Sequence, residues 1–469
     1  MRYISTRGEA PVLSFDDVLL AGLASDGGLY VPQAIPVIDV ATWDTWRTLP
    51  YPQLAAAVMK PFVGGTISDA ELAEITTEAY RNFDHAAIAP MKQFDTDLWV
   101  MELFHGPTLA FKDMAMQVLG RLFDHFLAKR SKRITIVGAT SGDTGSAAIE
   151  ACRDREAVDI FILHPHERVS EVQRRQMTTV TSSNVFNIAI KGTFDDCQDM
   201  VKAMFADATF RDRVSLSAVN SINWARVLAQ VVYYVWAALR LGAPDRAVGF
   251  SVPTGNFGNI FAGYVAKTMG LPIEQLIVGS NKNDILTRFF ASGEMAMSGV
   301  VPTLSPSMDI QISSNFERLL FDMLGRDGAA VRTAMNRFRQ SGRFEVSPEV
   351  LARSRAVFSA LSLDDAKTKA AIAAEYKATG EILDPHSAIG VAAARARAKT
   401  PGVPVVALAT AHPAKFGTAV EQACGVTPKL PPRLSDLMDR PERLTILPND
   451  IKTVQDYVLA RSRATAGVR

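Results

Sequence analysis

An α/β fold with mainly parallel sheets flanked by helices is predicted by three features of the sequence. Between about Ala128 and Ile260, short apolar runs alternate with helical patterns at the spacing of parallel strand–helix units. Two of these units carry a glycine loop between strand and helix, at Ala139–Ala148 and Pro253–Ile260. The strand pattern then returns late, in "VPVVALATAHP". At 469 residues the chain exceeds what one core usually supports, so two or more domains are expected.

Each element follows from its own pattern. "SDGGLYVP" (Ser25–Pro32) reads as a tight turn feeding an extended segment, and "DAELAEITTEAYRNF" as an amphipathic helix with an acidic first turn. "TDLWVMELF" is a strand candidate that leads into "FHGPTLAFKDMAMQ" (Phe104–Gln117), where a helix over about Ala110–Arg130 begins. Then come strand "RITIVGA", helix "GSAAIEACRD", strand "AVDIFILHP", helix "VSEVQRRQMTTV", the run "NVFNIAIKG" and helix "DDCQDMVKAMFA". A long helix starts near Trp224. "RAVGFSVPTGNFGNIFAGYVAKTMG" repeats strand, glycine loop and helix, and "LIVGS" gives a further strand. From about Asn283 to Lys377 the pattern is mostly helical. The late strand should end near Thr410, and the proline-rich "PKLPPRLSDLMDRPERL" reads as an exposed wrap before one polar helix. Because the two glycine loops sit at C-terminal strand ends, they are expected to share one crevice of a sheet.

Composition narrows the function. With 48% hydrophobic and 21% charged residues and a net charge of +1, the chain resembles a soluble enzyme-sized protein and carries no basic surplus for nucleic acid or acidic membrane. Cys152, Cys197 and Cys424 are far apart, which argues against a disulfide framework and fits a reducing cytoplasm. The start lacks an apolar core and reads as mature protein. "VLAQVVYYVWAALRL" is shorter than a membrane span. No HExxH run, Cys/His cluster or GxSxG elbow occurs, so no metal site is expected.

Lys112 stands out. Asp113, Gln117, Arg121 and Asp124 recur at helical spacing as a wet face, whereas Lys112 lines up with Met116, Leu119 and Phe123. A lysine facing the apolar side near a helix N-terminus has its ammonium disfavoured twice, by burial and by the dipole. Such a lysine can form a Schiff base with a carbonyl cofactor. The alternative is a side chain that snorkels to water.

The loop "ATSGDTGSAA" has glycines at 142 and 145 and hydroxyls at Thr140, Ser141 and Thr144 beside helix amides, a nest for an anion or simply a capped turn. Asp143 would repel an anion unless it faces elsewhere. "PTGNFGNI" offers Gly255 and Gly258 with Asn256 and Asn259 as neutral donors; lacking a third glycine and a Gly-Lys-Ser/Thr ending, it reads as a phosphate cradle of neither dinucleotide nor Walker type. In "NSINWARVLAQ", Asn223 is a candidate cap for the helix carrying Arg226, which either meets an anionic substrate or pairs with a surface carboxylate. His412 and Lys415 in "ATAHPAKFG" are structural groups or ligands with equal claim. An inward lysine plus two phosphate-type loops fits pyridoxal 5′-phosphate, which needs an amine for its aldehyde and a nest for its phosphate.

Taken together and in order, "LASDGGLYVP", "HGPTLAFKD", "ATSGDTG", "PTGNFGN", "LDPHSAIG" and "ATAHPAKF" resemble threonine synthases, in the longer microbial and fungal branch of the fold-type II pyridoxal-phosphate enzymes. The resemblance spans nearly the whole chain. It implies a tryptophan synthase β-like fold with an N-terminal domain over 1–95, a cofactor-binding α/β core over 96–282, a mostly helical insertion over 283–377, a return to the core over 378–430 and a C-terminal wrap and helix over 431–469. It implies conversion of O-phospho-L-homoserine and water to L-threonine and phosphate, by a chain that leans to a monomer. It places the cofactor lysine on Lys112, the group facing the ring hydroxyl on Asp143, and the phosphate cradle on Gly255, Asn256, Phe257, Gly258 and Asn259. Thr410 would face the ring nitrogen. Thr140, Ser141 and Thr144 would contact the substrate's carboxylate and hydroxyl, and Ser221, Asn223 and Arg226 its phosphate. Another fold-type II lyase, such as a threonine dehydratase, and a non-catalytic nucleotide-binding α/β protein are the competing readings.

Overall fold

The computed structural model describes residues 1–464, and the chain divides into two compact units. The larger comprises residues 1–19, 23–111 and 221–428; the smaller comprises 20–22, 112–220 and 429–464.

The larger unit holds a six-stranded sheet in the order Phe358–Ser362, Ile273–Ser280, Val248–Pro253, Val405–Ala409, Leu98–Glu102 and Met91–Gln93. All neighbours are parallel except the last pair. Its central strands are buried almost end to end and mostly apolar, as strands covered on both faces require. Helix Pro385–Arg397 presses on these strands through Ala388, Val391 and Ala394. Gly390 permits the close approach: a Cβ there would lie 3.0 Å from the Pro253 ring. Near the N-terminus, Tyr30–Pro32 forms the expected extended segment and pairs antiparallel with Tyr3–Ser5.

The smaller unit holds a five-stranded parallel sheet, ordered Thr445–Pro448, Val185–Lys191, Val158–Pro165, Ile134–Ala139 and Leu216–Ser217. One core cluster joins Val137, Phe161, Leu163 and Ile188 to helix Phe194–Ala206 through Cys197, Met200 and Met204. Two expectations are corrected here. The two glycine loops follow strands of different sheets, so they do not share a crevice of one sheet. The stretch 283–377 is mostly helical and also supplies the edge strand Phe358–Ser362. The proline-rich tail is more than a wrap: Thr445–Pro448 adds an edge strand, and helix Ile451–Leu459 buries Val454 and Val458.

The wet face assigned to the lysine helix, Lys112–Lys129, is also corrected. Arg121 and Asp124 are half-buried, but Asp113 is fully buried and Gln117 nearly so. Helix Asp143–Cys152 covers that side, and the contact is tight enough that a Cβ on Gly120 would stand 2.3 Å from the Ala151 carbonyl oxygen. Polar spacing marked a face that a second helix then covers.

All three cysteines are free thiols, and burial pushes Cys152 and Cys197 up to about 12, so both stay protonated and unreactive at neutral pH. Among the described residues, no helix is long and apolar enough to cross a membrane, and no group of three or more His, Cys, Asp or Glu could hold a metal ion.

Candidate functional site

The candidate residues gather in two groups, one in each unit. The segment that delivers Lys112 is fixed within the larger unit. Leu109 adopts a left-handed backbone (φ +62°), uncommon for a leucine, and its carbonyl accepts from the His412 amide at 3.0 Å. The Phe111 amide donates to the Thr410 carbonyl at 2.8 Å, with an Ala110–Ala411 bridge between these bonds. The buried Lys415 ammonium donates to the Thr108 carbonyl at 2.7 Å, and His412 Nδ1 accepts from the Ala414 amide at 3.2 Å. His412 and Lys415 therefore serve as structural groups that staple "HGPTLAF" to the chain after the late strand. Lys112 is the next residue.

In the smaller unit Lys112 starts its helix and is buried, with Nζ 3.3 Å from Asp143 Oδ2. Snorkelling to water is thus excluded. The carboxylate favours the ammonium form and opposes the burial that disfavours it, a balance that the apolar spacing alone did not anticipate. Asp143 is buried too, and its Oδ1 accepts from Gln173 Nε2 at 2.8 Å. Gln173 also fills the space beside Gly142, where a Cβ would come within 2.5 Å of its side chain. At φ +141°, Gly142 occupies a conformation that glycine alone takes comfortably. Thr140 is buried, and its Oγ1 accepts from the amides of Gly142 and Gly145 at 3.0 and 2.9 Å, so it shapes the loop from inside. Ser141 is exposed and Thr144 half-buried.

In the larger unit, "PTGNFGNI" links strand Val248–Pro253 to helix Gly258–Thr268. Gly255 has no room for a side chain, since a Cβ would lie 2.9 Å from the Ser307 carbonyl oxygen. The Gly255 carbonyl accepts from Ser313 Oγ at 2.7 Å, and that of Asn256 from the Asn315 amide at 3.0 Å. Phe257 is left-handed (φ +63°), with its ring packed on Phe316 and Phe358 at 5.3 and 5.7 Å, so it offers the loop only its backbone. Asn259 is buried; its Oδ1 receives the hydroxyls of Tyr233 and Tyr234 at 2.6 and 2.8 Å. Among the described residues, that leaves Nδ2 as a buried donor with no hydrogen-bond acceptor, and no side chain caps the helix start.

Asn223 caps helix Trp224–Arg240 as expected: Oδ1 accepts from the Ala225 amide at 3.0 Å, while Nδ2 donates to the Leu19 carbonyl at 2.9 Å. The surface role allowed for Arg226 is overturned, because the helix is buried throughout its first four turns and Arg226 with it. Burial pushes the guanidinium down to about 10, with the Tyr233 phenol opposing, so it remains charged at neutral pH. Ser221 lies beside Ser314, with 3.4 Å between their hydroxyls, and its carbonyl accepts from Asn315 Nδ2 at 3.1 Å. Asn315 is held by the wholly buried Arg318, which also donates to the carbonyls of Tyr30 and Ile222. Gln173, Asn315 and Arg318 were missed from sequence, since no motif or periodicity distinguishes them.

Comparison with known proteins decides the family. Residues 2–80 match the family model "Threonine synthase N terminus", 85–411 "Pyridoxal-phosphate dependent enzyme" and 387–458 "Threonine synthase, C-terminal". A threonine synthase of Pseudomonas aeruginosa is 58% identical over 459 residues, covering 98% of each chain. This chain belongs to the threonine synthase family. Among solved structures of that family, the pyridoxal-phosphate-bound threonine synthase of Brucella melitensis superposes with a TM-score of 0.97 at 58% identity, over 99% of this chain and 100% of that one. The yeast threonine synthase follows at 0.94 and 40%, over 98% of each. The expected fold type is thereby established, and pyridoxal 5′-phosphate is the family's cofactor. The residues present fit it: a buried primary amine, a loop too tight for side chains at Gly255, and the unsatisfied Asn259 donor at an uncapped helix start.

Proposed function

We propose that this protein is a threonine synthase, converting O-phospho-L-homoserine and water to L-threonine and inorganic phosphate with pyridoxal 5′-phosphate. The observation that carries this reading is the buried Lys112, paired with Asp143 at a helix start, in a chain 58% identical to a threonine synthase over nearly its full length. Bound, the cofactor supplies a conjugated electron sink for charge developed at the substrate's Cα.

Every other part falls to side chains of this chain. Lys112 anchors the cofactor's aldehyde and, once released from it, moves the Cα proton as general base. Asp143 faces the ring hydroxyl and sets how readily the lysine nitrogen keeps its proton. Backbone amides of Gly255–Asn259, with Asn259 Nδ2, take the cofactor's phosphate at the start of a helix, where the dipole favours an anion. Thr410 presents a neutral hydroxyl to the ring nitrogen. Ser141 and Thr144 contact the substrate's carboxylate and hydroxyl, with Thr140 shaping the loop that holds them. Arg226 supplies the charge that binds the substrate's own phosphate, Asn223 places it through the cap, and Ser221 adds a hydroxyl. The protein acts as a monomer.

Purified protein given O-phospho-L-homoserine should release one phosphate per threonine formed. Release of ammonia and an oxo acid from threonine, without phosphate release from phosphohomoserine, would assign it to the dehydratase class instead.

Asp143→Asn tests the tuning. A carboxylate beside the lysine nitrogen favours its protonated form, so a neutral amide should lower the pH midpoint of the visible absorption band by about 1 to 3 units. An unmoved midpoint in spectrophotometric titration would remove Asp143 from this role.

A further inference from the structure

We propose that Asp384, His386 and Ser387 form a positioning relay that fixes Thr410 and the wall of the cradle loop from a single buried carboxylate. The proposal rests on the cofactor reading above. Asp384 is fully buried at the N-cap of helix Pro385–Arg397. Its Oδ1 accepts from the Ser387 amide at 3.0 Å and from the Ser387 hydroxyl. Its Oδ2 accepts from the His386 amide at 2.9 Å and from His386 Nδ1 at 2.7 Å.

These bonds assign a direction to every link. Ser387 gives its one hydroxyl proton to Asp384, which leaves Oγ as an acceptor, and Oγ receives the Thr410 amide at 3.0 Å. His386 gives its Nδ1 proton to Asp384, so Nε2 is the acceptor, and it faces the Ser307 amide at 3.3 Å. Ser307 and Met308 are the atoms that leave Gly255 no room for a side chain, at 2.9 and 3.1 Å from a Cβ built there. One arm therefore ends on the residue assigned to the ring nitrogen and the other on the wall behind the phosphate loop.

The helix that carries the relay is itself held against the strands that lead into the site. Gly390 meets Pro253 at the end of the cradle strand, Ser251 Oγ donates to the Gly390 carbonyl at 2.6 Å, and Ile389 packs on Gly279. None of the three relay side chains needs to touch cofactor or substrate. They act through Thr410 and Ser307.

The two arms should separate in experiment. In Ser387→Ala, the visible band of the holoenzyme is expected to shift and kcat to fall about tenfold, with KM nearly unchanged and Ser387→Thr restoring both. In His386→Phe, the dissociation constant for pyridoxal 5′-phosphate should rise about tenfold while the band stays in place, with His386→Gln, which keeps an acceptor, recovering most of the affinity. Should either variant fail to fold, Ser387→Cys, a weaker acceptor, carries the test and should give an intermediate band shift. Variants that keep the wild-type band, cofactor affinity and kcat, or that change only the melting temperature, overturn the relay. A wild-type protein that binds no pyridoxal 5′-phosphate would instead overturn the cofactor reading, and the relay with it.

Discussion

Lys112→Ala should lose at least about a thousandfold in threonine formation and emerge from purification without the visible band of the wild-type protein. The variant removes two functions at once, the covalent anchor and the base that moves the Cα proton, and general bases alone contribute about 10² to 10⁴. No other amine takes over readily: the other buried lysine, Lys415, is committed to the Thr108 carbonyl. Borohydride should fix the cofactor to wild-type protein and leave a labelled peptide containing Lys112, but fix none to the variant. Added methylamine should restore part of the activity, since it supplies the missing amine. Turnover within tenfold of wild type would show that another group does this work.

Arg226→Met should raise the KM for phosphohomoserine and lower kcat/KM about thirtyfold to several thousandfold, the range for losing one partner of a buried charge pair, roughly 2 to 5 kcal/mol. Inhibition by inorganic phosphate should weaken in parallel. Lysine is not an adequate substitute, because it lacks the planar fork that grips a phosphate with two donors. An unchanged KM with a lower melting temperature would make Arg226 a packing residue.

Much of this was legible in the sequence. Glycine loops after apolar runs gave the strand–helix units, and helical spacing singled out Lys112 as inward. What escaped detection shares a physical cause: it depends on partners remote in sequence. Asp113 and Gln117 show the polar spacing of a wet face, and only the second helix, crossing at Gly120, buries them. Phe358–Ser362 and Thr445–Pro448 are short edge strands, half-exposed, with too few residues for a period-2 pattern to emerge. The division of the strands between two sheets is set by pairings across long loops, which local pattern does not encode. Arg226 looked like a surface cation because charge is usually outside, and its burial follows from a helix covered on all sides.

The left-handed Phe257 has a consequence for how the cofactor is captured. A non-glycine residue in that conformation costs about 1 to 3 kcal/mol, and here the packing of its ring against Phe316 and Phe358 offsets it as the chain folds. The loop's disorder is therefore removed during folding and not on encounter, so cofactor association should proceed without an ordering step. Loading becomes a matter of diffusion and fit, because an aromatic ring packed away from the cradle keeps the loop's backbone ready in advance.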